Sequence, residues 1–158
     1  MKLSQTNDQL IKQTLSSAKI IAMIGVSSPK KEDKNNIVRR PSTIVMSYLQ
    51  EFGYKVIPVN PFSVGKKING EVFVEKLEDI KESIDIINVF RPSNESPQIA
   101  KDAIKTRAKV FWLQYGIQNE EAKNIVESQN MTYIANKCIK QEYQRLFLKV
   151  NPVFPVLK

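Results

Sequence analysis

Histidine is absent from the 158 residues of this sequence. Its absence removes the side chain that most often acts as a general base, together with Ser-His and Cys-His nucleophile pairs. It also removes the commonest metal ligand among the amino acids. We therefore expect no catalytic residues and no metal site, and we expect that the protein is not an enzyme by itself.

Cysteine and long apolar runs are also scarce. The single cysteine, Cys138, excludes an internal disulfide and favours a reducing compartment. No apolar run approaches the roughly 18 residues that a membrane-spanning helix needs. The N-terminal stretch turns polar after Leu3, so it lacks the apolar core of a signal peptide. The expected location is the cytoplasm, without a membrane partner.

Short apolar runs alternate with stretches of helical periodicity along the chain. The runs that predict buried strands are 19–25, 55–59, 85–90, 109–114 and 131–135. Helices are predicted after Ser42, Ser96 and Asn119, each of which is expected to cap its helix. The first helix is expected to place on one face Ile44, Val45, Tyr48, Leu49 and Phe52. Residues 60–84 indicate a long connection with a short helix around 74–81.

This alternation predicts an α/β fold, a Rossmann-like doubly wound parallel sheet in three α/β/α layers. One domain is expected to contain residues 1–158. Within it, residues 1–18 form an N-terminal helical extension that packs on the sheet through Leu10, Ile11 and Leu15. Residues 139–158 form a C-terminal helical tail.

Glycine is rare too, with five in the chain. In a doubly wound sheet, the loops after residues 25, 59, 90 and 114 should surround one ligand cleft. A dinucleotide-binding loop needs three glycines after the first strand and a carboxylate at the end of the second. Here the first loop has only Gly25, and the second strand ends at Asn60. Both facts disfavour an NAD enzyme, and the lack of a G-K-[ST] motif excludes a P-loop.

The loop after the first strand is nevertheless suited to phosphate. Gly25 permits close backbone approach, and Ser27 and Ser28 offer hydroxyl and amide donors. The helix capped by Ser42 directs the positive end of its dipole into the same cleft. Residues 29–40 carry five Lys or Arg and two acidic residues, a net charge of +3, in a chain of formal net charge +8. We expect a ligand with several phosphates.

Five stretches resemble the bacterial CoA-binding domain proteins, small stand-alone relatives of the nucleotide-binding domain of succinyl-CoA synthetase. They are IAMIGVSS, RRPSTIVMSYLQEFGYKVIPVNP, LEDIKESIDIINVFRP, KVFWLQYGIQNEEA and NKCIKQEYQRL, and they cover nearly all of residues 19–146. The resemblance implies a Rossmann-like fold that binds coenzyme A in a cleft formed by these loops, with no established catalytic residue.

The matched positions can be assigned to parts of coenzyme A, which carries roughly four negative charges at neutral pH. The expected contacts are Gly25, Val26, Ser27, Ser28 and Ser42 for the diphosphate, Arg40 for a phosphate, Asn60 and Pro61 for the adenosine, Phe90, Arg91 and Pro92 for the pantetheine arm, and Gln114 and Gly116 on the same rim. Some have a purely structural alternative. Pro61 can simply end the second strand, Phe90 can belong to the core, and Gln114 can satisfy backbone groups in the turn before Gly116.

The chain departs from the family pattern near its cysteine. The family often has an acidic residue two positions before this cysteine and a histidine five positions after it, where this chain has Asn136 and Tyr143. Cys138 is either a small core residue or a thiol that forms a mixed disulfide with coenzyme A.

The expected function is non-catalytic binding of coenzyme A or an acyl-CoA at the carboxyl ends of the parallel strands. Two alternatives stay open: a CoA-handling subunit of an acyl-CoA ligase or transferase that needs a partner, and an NAD(H)-type redox sensor. A nucleic-acid partner is disfavoured, since the sequence has no RNP-like motif and no helix-turn-helix. The expected partner is a small molecule, and a homo-oligomer stays open.

Overall fold

Five parallel strands form the central sheet of the computed structural model, which describes residues 7–27, 30–31, 37–38 and 41–148. The strands are β1 Ile20–Ile24, β2 Lys55–Val59, β3 Ile86–Val89, β4 Val110–Leu113 and β5 Thr132–Ile134. They lie in the order β2-β1-β3-β4-β5, and each neighbouring pair is parallel. The order reverses between β1 and β3, where doubly wound sheets open a crevice for a ligand.

Helices cover both faces of this sheet. They are α1 Asn7–Ser17, α2 Pro41–Glu51, α3 Ser96–Ala103, α4 Glu120–Glu127 and α5 Ile139–Tyr143, which continues as a π-helix over Gln144–Leu148. One core cluster joins the sheet to α1, α2 and α5, and a second joins its other face to α3 and α4. The predicted Rossmann-like α/β/α fold is confirmed. None of the helices in the described residues is long and apolar enough to span a bilayer.

The strands read as continuous apolar runs because both of their faces are covered. In β1, Met23 belongs to the core cluster on the α2 side and Ala22 to the cluster on the α3 side. In β4, Trp112 and Phe111 divide in the same way. The Trp112 side chain is fully buried, and its indole N–H donates a hydrogen bond to the Lys137 carbonyl at 2.8 Å.

The start of α2 differs from the sequence prediction. The helix begins at Pro41, a position that proline tolerates because an N–H there has no partner within the helix. Ser42 therefore lies inside the first turn, and the prediction that it caps the helix was wrong. The predicted apolar face is also rotated, since Ile44 is 44% exposed and Phe52 37% exposed. The helix residues that are buried are Ser42, Thr43, Val45, Met46 and Leu49.

The other two predicted helix caps have different outcomes. Asn119 caps α4 as predicted, because its Oδ1 accepts a hydrogen bond from the Ala122 N–H at 2.9 Å. Ser96 does not cap α3 but is its first residue, and Glu95 precedes it as the cap. A 3₁₀ turn over Ser93–Glu95 leads directly into α3, so the chain is already helical before Ser96.

The connection between β2 and β3 contains a hairpin that the sequence analysis missed. Two short antiparallel strands, Lys67–Ile68 and Glu71–Val72, flank Asn69 and Gly70, whose φ angles are 50° and 83°. Two positive φ angles are what a tight hairpin turn of the Asn-Gly type needs. The predicted helix at 74–81 is a 3₁₀ turn over Leu77–Asp79. A second short hairpin pairs Lys30–Lys31 with Ile37–Val38.

The N-terminal helix and the C-terminal helical segment lie against one another. Ile11 and Leu15 of α1 are buried at 2% exposure, as the periodicity predicts. Arg145 donates hydrogen bonds to both carboxylate oxygens of Asp8, at 3.0 and 2.7 Å, and to Glu142 at 2.8 Å. Residues 1–6 and 149–158, the outer parts of the predicted extension and tail, lie outside the described residues.

The carboxylate of Asp85, just before β3, bonds to residues at the amino ends of β1 and β4. Its Oδ2 accepts hydrogen bonds from the backbone N–H groups of Lys19 at 2.8 Å and Ile20 at 3.0 Å. The Lys109 ammonium lies 3.5 Å from its other oxygen. Burial by itself raises the pKa of Asp85, but these donors outweigh burial and hold that pKa below its usual value.

Replacing Asp85 with alanine should lower the free energy of unfolding by about 1.5–3 kcal/mol, because two backbone donors lose a charged acceptor. In the unmodified protein, stability should also fall as the pH drops below about 4, since a lowered carboxyl pKa stabilises the fold only while the group is ionised. Urea unfolding between pH 3 and 7 measures both effects. The control is Glu82→Gln, whose carboxylate is 42% exposed and 3.8 Å from Lys55. A loss for Asp85→Ala no larger than the control's would contradict this role.

Candidate functional site

A cleft of about 640 Å³ opens at the carboxyl ends of β1, β2 and β3. Its walls include Gly25, Asn60, Pro61, Phe62, Arg91 and Glu95. Its further apolar lining residues are Ile24, Val59, Leu77 and Ile99. The cleft lies at the point where the strand order reverses, and its volume is that of an ordinary small-molecule site.

Gly25 ends β1 in a space that admits no side chain. Its N–H donates a hydrogen bond to the Val59 carbonyl at 3.1 Å, and its φ angle is 91°. A Cβ at this position would lie 2.7 Å from the Phe90 carbonyl oxygen and 2.9 Å from Cδ of Arg91. The glycine therefore permits the close approach of the end of β3 to the end of β1, and its predicted close approach to a ligand stays a prediction.

The side chain of Asn60 ties the β1 and β2 loops together. Its Nδ2 donates a hydrogen bond to the Val26 carbonyl, and its Oδ1 accepts one from the Phe62 N–H, each at 2.9 Å. Its own N–H donates to the Val74 carbonyl at 2.9 Å. Asn60 thus positions the cleft rim, and its predicted contact with the adenosine stays a prediction.

Arg91 lines the cleft and forms an ion pair with Glu95. Its Nε and one terminal nitrogen donate hydrogen bonds to the two carboxylate oxygens of Glu95, at 3.0 and 2.7 Å. These hydrogen bonds raise the pKa of the Arg91 guanidinium. The Arg91 side chain is 46% exposed, so this ion pair is open to solvent and to competition by an anionic ligand.

The charge of the cleft lining differs from that of the whole chain. The acidic residues of the lining are Glu75, Glu78, Glu95 and Asp102. Its basic residues are Lys76, Arg91 and Lys105. Their formal sum is −1, whereas the whole chain has +8 and residues 29–40 have +3. Among the lining residues, the positive charge is therefore carried by Lys76, Arg91 and Lys105.

The predicted phosphate loop is described in part. Val26 is 0% exposed, so neither its side chain nor its backbone is open to a ligand in this structure, and its carbonyl accepts the hydrogen bond of Asn60. The Thr43 hydroxyl donates a hydrogen bond to the Ser27 carbonyl at 3.2 Å, which holds the first turn of α2 beside the loop. Ser42 is 4% exposed. Ser28 and Arg40 lie outside the described residues.

Val26, Ser27 and Ser42 are not among the residues that line the cleft, and four further predicted contact residues are also absent from its lining. Phe90 is half-buried and packs against the core on the α2 side, and Pro92 precedes the turn before α3. Gln114 is 6% exposed, and its Oε1 accepts hydrogen bonds from Nδ2 of Asn88 and the N–H of Ile139, both at 3.0 Å. The Gly116 N–H donates to Oδ1 of Asn136 at 2.7 Å. The structure thus assigns Gln114 a structural role, and the ligand contacts of all four stay predictions.

The two residues that depart from the family pattern, Asn136 and Tyr143, make contacts within the protein itself. Asn136 accepts the Gly116 hydrogen bond, as a carboxylate at that place also would. The Tyr143 ring packs 4.9 Å from Phe52 and 4.8 Å from Phe147, measured between ring centroids. Cys138 is half-buried, immediately precedes α5 and packs against the core.

The cleft also contains residues that the sequence analysis did not single out. Phe62 and Glu95 line it, and so do Glu75 to Glu78 of the β2–β3 connection. That connection is predicted from the sequence as a long connection with a short helix around 74–81, although its Asn-Gly pair indicates a hairpin. No comparable signal in one sequence shows that Glu95 lies against Arg91.

The fold and the cleft define a doubly wound α/β domain with an open cleft at its switch point. A model of the CoA binding domain family matches residues 19–144. The chain therefore belongs to the CoA binding domain family, and the resemblance drawn from its sequence is confirmed.

Relatives of similar size match over most of their length. The chain is 38% identical over 130 residues to the uncharacterized protein YneT of Bacillus subtilis. The matched region covers 82% of this chain and 89% of YneT. The solved structure of cell-free ID.343 from Thermus thermophilus has a TM-score of 0.80 and 36% identity, and it covers 90% of this chain and 100% of its own. A hypothetical protein from Pyrococcus horikoshii has a TM-score of 0.78 and 33% identity over 92% of this chain and 99% of its own.

Substitution of Gly25 by alanine should destabilise the fold more than the same substitution at Gly53. Both glycines have positive φ, 91° and 96°, so both variants carry the backbone strain of roughly 1–2 kcal/mol. Only at Gly25 does the new methyl also meet neighbouring atoms, whereas nothing lies within 4 Å at Gly53. We expect the additional loss in free energy of unfolding to be about 1–3 kcal/mol, measured by urea titration. Equal losses in the two variants would show that the approach of Phe90 is not constraining.

Proposed function

We propose that the protein binds coenzyme A or an acyl-CoA in this cleft and does not itself catalyse a reaction on it. The observation that carries the proposal is a cleft of about 640 Å³ at the strand-order reversal, in which the residue after β2 is the neutral Asn60. An NAD site would need a carboxylate there for the ribose hydroxyls. Membership of the CoA binding domain family supports the same ligand.

The parts of the cleft suit the parts of this ligand. The diphosphate lies towards the loop after β1 and the amino end of α2, where the helix dipole favours an anion. The basic residues of 29–40 supply further charge for the phosphates. The adenosine lies towards Asn60 and Pro61, and the pantetheine arm lies over the apolar residues Ile24, Val59, Leu77 and Ile99. The histidine-free chain serves as a cytoplasmic binding module rather than as an enzyme.

Calorimetry with the purified protein tests this proposal. We expect saturable binding of coenzyme A at micromolar protein, weaker binding of 3′-dephospho-CoA, and a loss of affinity as salt screens the phosphates. No saturable binding of coenzyme A would end the proposal. Tighter binding of NADH would favour the redox-sensor alternative, and turnover only with a co-purified partner would favour the ligase-subunit alternative.

The Glu95 carboxylate should limit the affinity for coenzyme A, because it competes with phosphate for Arg91. In Glu95→Gln, the guanidinium is released and the cleft loses one negative charge. We expect about two- to fivefold tighter binding, which is the value of an exposed ion pair of this kind. The matched control is Asp102→Asn, which removes a carboxylate of the same cleft that pairs with Lys105. Equal gains in the two variants would contradict a specific release of Arg91.

A further inference from the structure

Phe62 is the most exposed large apolar side chain in the described part of the chain. Its exposed fraction is 92%, against 55% for Val64 and 75% for Tyr115. The residue lies at the mouth of the cleft, directly after Asn60 and Pro61. Leaving a phenylalanine in water forgoes the roughly 1.5–3 kcal/mol that burial of such a side chain provides.

The backbone of Phe62 is held in place by the residues around it. Its N–H donates a hydrogen bond to Oδ1 of Asn60 at 2.9 Å, which forms a local side-chain turn. The Ser63 N–H donates to the Asn60 carbonyl at 3.1 Å, and Ser63 is 8% exposed. Because Nδ2 of Asn60 also bonds the Val26 carbonyl, the turn keeps a fixed position relative to the β1 loop.

An exposed aromatic ring on a backbone held at the end of β2 is suited to stacking on a flat base. Aromatic side chains bind bases of any sequence through their faces, and the ring needs no hydrogen bond for this. In a doubly wound fold, the end of the second strand is also where the ribose of a bound nucleotide lies. The adjacent Pro61, which lines the same cleft, adds apolar surface beside the ring.

We propose that Phe62 is the stacking platform for the adenine of the ligand and that Asn60 positions it. The inference rests on the proposed function, and it assigns base recognition to a residue in the β2–β3 connection. The burial that Phe62 lacks in the free protein is then supplied by the ligand. Asn60 acts through Phe62 and the β1 loop rather than through contact with the base.

Calorimetry with three ligands tests the assignment: coenzyme A, adenosine 3′,5′-diphosphate and 4′-phosphopantetheine, which lacks the adenosine. In Phe62→Ala, the first two should bind about five- to 150-fold more weakly, which is the usual loss when a base loses its aromatic partner. Binding of 4′-phosphopantetheine should not change. Phe62→Tyr should retain the affinity, and the control Val64→Ala, an exposed neighbour on the same connection, should bind all three ligands as the unmodified protein does.

Proton NMR supplies a readout that a merely structural role would not affect. The adenine H2 and H8 signals should shift upfield on binding to the unmodified protein and should shift less with Phe62→Ala. Unchanged adenine affinity, or an equal loss for 4′-phosphopantetheine, would overturn the assignment. So would a change of molecular mass by gel filtration with unchanged affinity, since the exposed ring would then belong to a contact between copies. Failure of the proposed function differs from all of these, because the unmodified protein would then not bind coenzyme A.

Discussion

The Phe90 carbonyl oxygen leaves no room for a side chain on Gly25. The geometry of the sheet at the carboxyl ends of its strands depends on this close contact between Phe90 and Gly25. With the Gly25 N–H bonded to the Val59 carbonyl on its other side, the end of β1 is held between β2 and β3. Any larger residue would push against the Phe90 carbonyl and the Arg91 side chain that follow β3. The cleft begins where they meet, so one missing Cβ sets both the packing of the sheet and the shape of the site.

Neutral amides connect the loops along this edge. Asn60 joins the β1 and β2 loops, Gln114 joins Asn88 of β3 to the start of α5, and Asn136 holds the turn after β4. An amide offers both a donor and an acceptor, so one side chain can link two loops without the desolvation cost of a charge. The charged groups of the cleft remain at the surface, where they are accessible to a ligand.

Much of the fold could be predicted from the sequence, but less of the site. The strands were predictable because sheets covered on both faces produce continuous apolar runs such as residues 20–24. The first turn of α2 was misplaced because a serine before an apolar face resembles a cap, whereas Pro41 already starts the helix. The contacts of Arg91 with Glu95 and of Asn60 with Val26 depend on where loops meet in space. Gln114 is a further example. The residue type alone could not show whether its side chain lines the cleft or, as the structure has it, accepts a hydrogen bond from the first N–H of α5.

The amide links have a consequence for how the protein responds to its surroundings. Histidine is the side chain whose ordinary pKa lies between pH 5 and 8, and this chain has none. Amides do not ionise, so the framework around the cleft keeps its hydrogen bonds throughout that interval. A phosphate monoester, by contrast, gains its second charge near pH 6. For the coenzyme A proposed above, the 3′-phosphate rather than the amide framework of the cleft is then the group that titrates in this interval.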